Sequence, residues 1–180
     1  CLDALQYAID PYKPPAYPLS FYIRGGNLYN KDLTANIMTM DKLDRYLATP
    51  GYAPYYDGGR DGFMRRAAAA QGYKCTGADC SGGIVGLLRH AGVVSTGFDA
   101  NANTLYGSYS VKTAKPIAGD WAWRSGHIGL YVGGGYVVEW IGGAYGCQLT
   151  KYANRKVYNF MTRKLQAFSP WAGCGDPKAY

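Results

Sequence analysis

The segment running from His127 through Gly133-Gly134-Gly135 to Ile141 constrains the fold more than any other part of this sequence. Two runs rich in β-branched and aromatic residues flank three glycines, and that pattern predicts a β-hairpin. Hydrophobicity then selects the register. With the three glycines as the loop, Val132 faces Tyr136, Leu130 faces Val138 and Ile128 faces Trp140, which makes one wholly apolar face. His127, Gly129, Tyr131, Val137, Glu139 and Ile141 share the other. A two-residue loop moves Glu139 among apolar side chains, where an unpaired carboxylate is costly. The three-glycine register is therefore expected. It makes His127 and Glu139 diagonal neighbours, roughly 7–8 Å apart at the backbone, with Gly129 leaving the space between them open. Glu139 is also the only glutamate in the chain.

Further strands are predicted at Gln148–Tyr152 and Val157–Thr162, and helices at Asp61–Gln71 and from Asp79 or Cys80 to about His90. In the second helix Ile84, Leu87 and Leu88 are spaced for one buried stripe. The first 60 residues are rich in Tyr, Pro and Gly, with short helical candidates at Leu2–Ile9 and Asp41–Leu47. Helices first and strands afterwards predict an α+β fold, an antiparallel β-sheet packed against the helix that carries Cys80. Residues 1–50 read as a loop-rich N-terminal extension packed on the core, and residues 51–180 as the main domain.

At 180 residues and 48% hydrophobic content one core is expected. No apolar run is long enough to span a membrane, and the start at Cys1 lacks the basic-then-apolar order of a secretory signal. A net charge of +7 favours an anionic partner. The basic residues are scattered without a concentrated tract, so no nucleic acid is expected. Five cysteines without a CxxC pair, beside two histidines, give poor metal-ligand spacing, and no metal or cofactor is expected. Cys147 and Cys174 can pair in an oxidising compartment. A monomer is expected.

Asp79-Cys80-Ser81-Gly82-Gly83 puts a thiol in the first turn of a predicted helix, where unpaired N–H groups and the positive end of the dipole stabilise a thiolate. Asp79 or Ser81 can cap that helix, and the small residues after it admit another chain at close range. The alternative for Cys80 is a buried structural thiol. A nucleophilic cysteine needs a base. His90 lies ten residues along the same helix, about 15 Å away at 1.5 Å per residue, so His127 remains. Glu139 then orients the imidazole and stabilises its cation. The alternative for Glu139 is a surface acid paired with a Lys or Arg.

At these residues the chain resembles the NlpC/P60 family of papain-like cell-wall peptidases, over about Gly51–Thr162. The family's Pro-Tyr-x-x-Gly-Gly element is matched to Pro54-Tyr55-Tyr56-Asp57-Gly58-Gly59, its Asp-Cys-Ser-Gly element to Asp79–Gly82, and its Gly-Asp element to Gly119-Asp120. The resemblance implies a papain-like fold with Cys80 as nucleophile, His127 as base, Glu139 at the third catalytic position, and Tyr55, Asp79 and Ser81 near the substrate. It implies an enzyme of the extracellular space or cell wall, similar to the phage-lysin branch. The substrate implied is the stem peptide of bacterial peptidoglycan, cut as an endopeptidase or as an N-acetylmuramoyl-L-alanine amidase. A module that keeps the fold without turnover and binds wall material is the competing expectation. Cys75, an extra cysteine before Cys80, is read as structural, with a redox cap on Cys80 as its alternative.

Overall fold

A computed structural model describes residues 1–29, 37–52, 62–73 and 75–178. In chain order the elements are α1 (Leu2–Leu5), β1 (Phe21–Tyr22), β2 (Ile37–Met38), α2 (Met40–Ala48), α3 (Phe63–Ala70), β3 (Cys75–Ala78), α4 (Cys80–His90), α5 (Ala102–Ser108), β4 (Ser110–Thr113), β5 (Trp121–Arg124), β6 (His127–Gly133), β7 (Tyr136–Ile141), β8 (Gly146–Lys151), β9 (Lys156–Asn159), β10 (Lys164–Ala167) and β11 (Gly173–Pro177). The fold is α+β. Six strands form a sheet in the order β4-β11-β5-β6-β7-β8, and every neighbouring pair is antiparallel. β1, β3 and β2 make a small second sheet, and β9 with β10 a hairpin.

Period-2 alternation decides what each face of the large sheet buries. Trp121, Ile128, Leu130, Val138, Trp140 and Cys147 point to the side where α4 and α5 pack, in one cluster with Ile84, Val85 and Leu105. Ala122, Tyr131 and Val137 point the other way, against Tyr152 and Trp171. Ile84 of the expected stripe is buried, while Leu87 and Leu88 pack on its margin. The helix lies close to the sheet because its residues are small: a Cβ on Gly83 would come within 2.5 Å of the Trp140 ring.

The hairpin keeps the expected pairing of Leu130 with Val138 but not the expected loop. Gly133 pairs with Tyr136, and the register shifts between Tyr131 and Gly133. A two-residue turn is thus combined with a bulge, and the extra residue in β6 restores the alternation that keeps Glu139 off the α4 face. Gly133, Gly134 and Gly135 all adopt positive φ, which suits glycine and makes the tight turn possible.

Residues 1–29 are packed into the same cores as the rest. Ala4 and Leu28 belong to the cluster around α4, Ile9 and Phe21 to a second one with Leu43, Phe63 and Phe160. β1 runs parallel to β3, the strand that leads directly into Cys80. Cys147 and Cys174 are free thiols, not the disulfide considered above. Cys147 sits on edge strand β8 and Cys174 on β11, with β5, β6 and β7 between them.

Candidate active site

Cys80 is the first residue of α4, and Asp79 is its N-cap. Asp79 Oδ1 accepts from the Gly82 N–H at 2.7 Å and from the Ser81 hydroxyl at 3.0 Å. Oδ2 accepts from the Gly25 N–H at 2.9 Å, and the Asp79 N–H donates to the Gly26 carbonyl. One carboxylate therefore starts the helix and pins the Gly25-Gly26 segment across its first turn. Gly82 is required there, because a Cβ would strike the Gly26 carbonyl and lie 2.5 Å from Asn27 Oδ1.

The Cys80 side chain is buried at the floor of a cleft of about 470 Å³. Tyr22, Arg24 and Tyr52 line it on the N-terminal side, and Asn101, Asn103 and Gly126 opposite. Asp79 and Ser81 line it too, although both Asp79 oxygens serve the protein's own N–H and hydroxyl groups. The Sγ lies 4.0 Å from the Gly126 carbonyl oxygen. Asn103 fixes this loop through Oδ1, which accepts from the Gly126 N–H at 2.9 Å and from Trp123 Nε1 at 3.1 Å.

His127 opens β6, one residue beyond Gly126. Its Nε2 lies 2.7 Å from Glu139 Oε2, and the Cys80 thiol is close enough to shift the imidazole's pKa. With Nε2 committed to Glu139, Nδ1 is the ring nitrogen left for the thiol. Burial alone lowers the imidazole pKa, but Cys80 and Glu139, as hydrogen-bond partners and as charges, outweigh it and raise it to about 9. Burial likewise opposes ionisation of Glu139, and the His127 hydrogen bond together with the Arg155 charge brings it down to about 2. The site thus holds a cationic imidazole against a carboxylate near neutral pH.

Glu139 is 0% exposed, so it is not the surface acid of the alternative reading. It is nevertheless paired with an arginine. Arg155 Nε donates to Oε1 at 2.8 Å and its Nη2 to Oε2, while the Thr150 hydroxyl donates to Oε1 at 2.5 Å. Trp171 stacks on the His127 ring, with centroids 5.4 Å apart, and lies 4.3 Å from the Arg155 guanidinium carbon.

Cys80, His127 and Glu139 therefore converge, the last two joined by a hydrogen bond, and Asp79 and Ser81 border them. Tyr55 and its Pro54–Gly59 element lie outside the described residues. The cleft contains Tyr22, the first residue of a second Tyr-x-x-Gly-Gly spacing, Tyr22-Ile23-Arg24-Gly25-Gly26, which that motif search could have found. Arg155, Thr150 and Trp171 carry no local signal of this kind. His90 stacks on Tyr29 at 4.0 Å, far along α4 from the thiol. Asp120 is buried and accepts from the Ile117 N–H, a turn role. Comparison with family models, with curated proteins and with solved structures returned no match.

Proposed function

We propose that this chain is a cysteine hydrolase of the papain-like NlpC/P60 type that cleaves amide bonds in bacterial peptidoglycan stem peptides. The observation that carries the reading is the convergence of Cys80 with the hydrogen-bonded His127–Glu139 pair at the open end of a helix, in a cleft. In this mechanism the Cys80 thiolate attacks the amide carbonyl and a tetrahedral oxyanion forms. The Cys80 N–H, at the start of α4, is its donor, and Tyr22 lines the cleft beside it. Protonated His127 gives its proton to the leaving amine, and the amine departs. Neutral His127 then removes a proton from water, which attacks the thioester, and the acid product leaves with the thiol regenerated. Glu139 keeps Nε2 bonded throughout, so Nδ1 stays aimed at the reacting atoms.

A net charge of +7 suits work at an anionic wall, outside the cell or delivered to it. Cys80→Ala is expected to abolish the loss of turbidity of purified cell walls, and retained activity in that variant refutes the assignment. Mass spectrometry of the digest separates the two bonds. An amidase frees whole stem peptides, whereas an endopeptidase leaves a dipeptide on the glycan. Absence of any new peptide end with the parent chain favours the binding module instead.

A further inference from the structure

Glu139 and Arg155 have no access to water: both side chains of the pair are 0% exposed. A carboxylate buried against an imidazole alone is compensated only while the ring is protonated. Each time such a ring gave up its proton, a bare anion would remain, and the carboxylate would hold the proton back. Arg155 removes that difficulty. Its guanidinium stays charged across the working pH range, and it grips both carboxylate oxygens in a fork. The fork is itself fixed, because Nη1 donates to the Ser169 carbonyl at 2.7 Å and the Phe168 and Trp171 rings flank the guanidinium at 4.7 and 4.3 Å.

We propose that Arg155 is a positioning residue of this site, holding Glu139 ionised and in one rotamer in both protonation states of His127 so that the imidazole can release and regain its proton. The proposal rests on the Cys80–His127–Glu139 reading. Trp171 is the shared cover: it stacks on the imidazole and on the guanidinium at once, which keeps water from the bonds between them. The other groups in reach do not substitute for Arg155. From α4 His127 meets Cys80, and from β7 it meets Glu139; on β5 Arg124 is its register partner. Glu139 meets Thr150 from β8, and the charge of Glu139 also bears on Cys147 in that strand. Among the described residues the guanidinium hydrogen-bonded to Glu139 is that of Arg155.

The test is the titration of His127 followed by NMR on labelled full-length protein, beside the pH profile of wall lysis. In Arg155→Gln the His127–Glu139 pair becomes the proton's only compensation and holds it more tightly. The His127 midpoint is expected to rise by at least about 0.5 unit, roughly a threefold change in the equilibrium, and kcat to fall with KM little changed. An unchanged midpoint in folded Arg155→Gln overturns the proposal. In Glu139→Gln with Arg155→Gln neither member of the buried pair is charged, which keeps a folded control, and the midpoint is expected to stay near that of Glu139→Gln alone. A shift there as large as in the parent background means that Arg155 acts on His127 directly, and also overturns it. Arg155→Lys keeps the charge but loses the fork, so the midpoint is expected near the parent's with kcat reduced about tenfold, and parental kcat in that variant refutes the rotamer-holding role. The NMR midpoint needs no turnover, so activity surviving in Cys80→Ala sinks the hydrolase reading without deciding this one.

Discussion

Replacing Gly86 by alanine pits two physical effects against each other on the helix that carries Cys80. Helix propensity alone favours the change by about 1 kcal/mol, because glycine loses more backbone entropy in a helix interior. Contact geometry opposes it. A Cβ at this position would collide with the Leu28 carbonyl oxygen and lie 2.7 Å from the Leu28 C and Cα, and these are backbone atoms with no rotamer to yield. Leu28 is also tied down by its N–H bond to the Gly82 carbonyl and by its burial in the main cluster. Overpacking of this kind costs about 1–3 kcal/mol, and a rigid obstacle belongs at the upper end, so a net destabilisation of about 1–2 kcal/mol is expected. For a chain of this length that lowers Tm by about 2–8 °C, at roughly 2–4 °C per kcal/mol. Gly107 near the end of α5 is the matched control, since a Cβ there meets nothing within 4 Å. Gly107→Ala is expected to be neutral to stabilising by up to about 1 kcal/mol. Thermal and urea denaturation of the two variants read both signs. If Gly86→Ala is as stable as Gly107→Ala, the N-terminal segment does not lie against α4 as described, and the argument fails.

Two further outcomes follow from the site. His127 titrates higher in the fold than its ordinary 6.5, near 9, so its stabilisation is complete below about pH 6.5 and is lost as pH rises towards 9. Glu139 titrates below its ordinary 4.5, near 2, so its share is present above about pH 4.5 and lost as pH falls towards 2. Urea midpoints are therefore expected to be flat between about pH 4.5 and 6.5 and to drop on both sides; a midpoint still climbing from pH 7 to 9 contradicts the pairing. Asn103→Asp keeps the Oδ1 acceptor for the Gly126 and Trp123 donors, whereas Asn103→Ala removes it. Wall lysis is expected to fall more in the alanine variant, by about tenfold for a loop displaced beside the reacting groups, and equal loss in both variants argues that the loop does not depend on this bond.

What was legible in the sequence was local. The α4 start was readable from Asp79 before Cys80, and the shared face of His127 and Glu139 followed from period-2 alternation. Scarcity helped, with two histidines and one glutamate to choose from. The bulge in β6 was not readable, because a three-residue loop and a two-residue turn with one extra strand residue preserve the same alternation at Glu139. Arg155 is one of 19 basic residues, and its meeting with Glu139 depends on how the chain turns after β8, through Asn154 at positive φ. β11 hid itself for a physical reason. Glycine and proline usually argue against a strand, yet here Gly173 and Gly175 are needed because Tyr106 and Ser110 crowd the positions a Cβ would take.

The position of β11 has a consequence for biosynthesis. β11 lies between β4 and β5 in the large sheet, so a growing polypeptide has every residue of the Cys80–His127–Glu139 set before it has the means to finish the platform beneath them. Until Gly173–Pro177 leave the ribosome, β4 and β5 keep open edges, and Trp171, just ahead of β11, has not reached the imidazole. A nascent segment that carries all three groups but not yet β11 is left without that support.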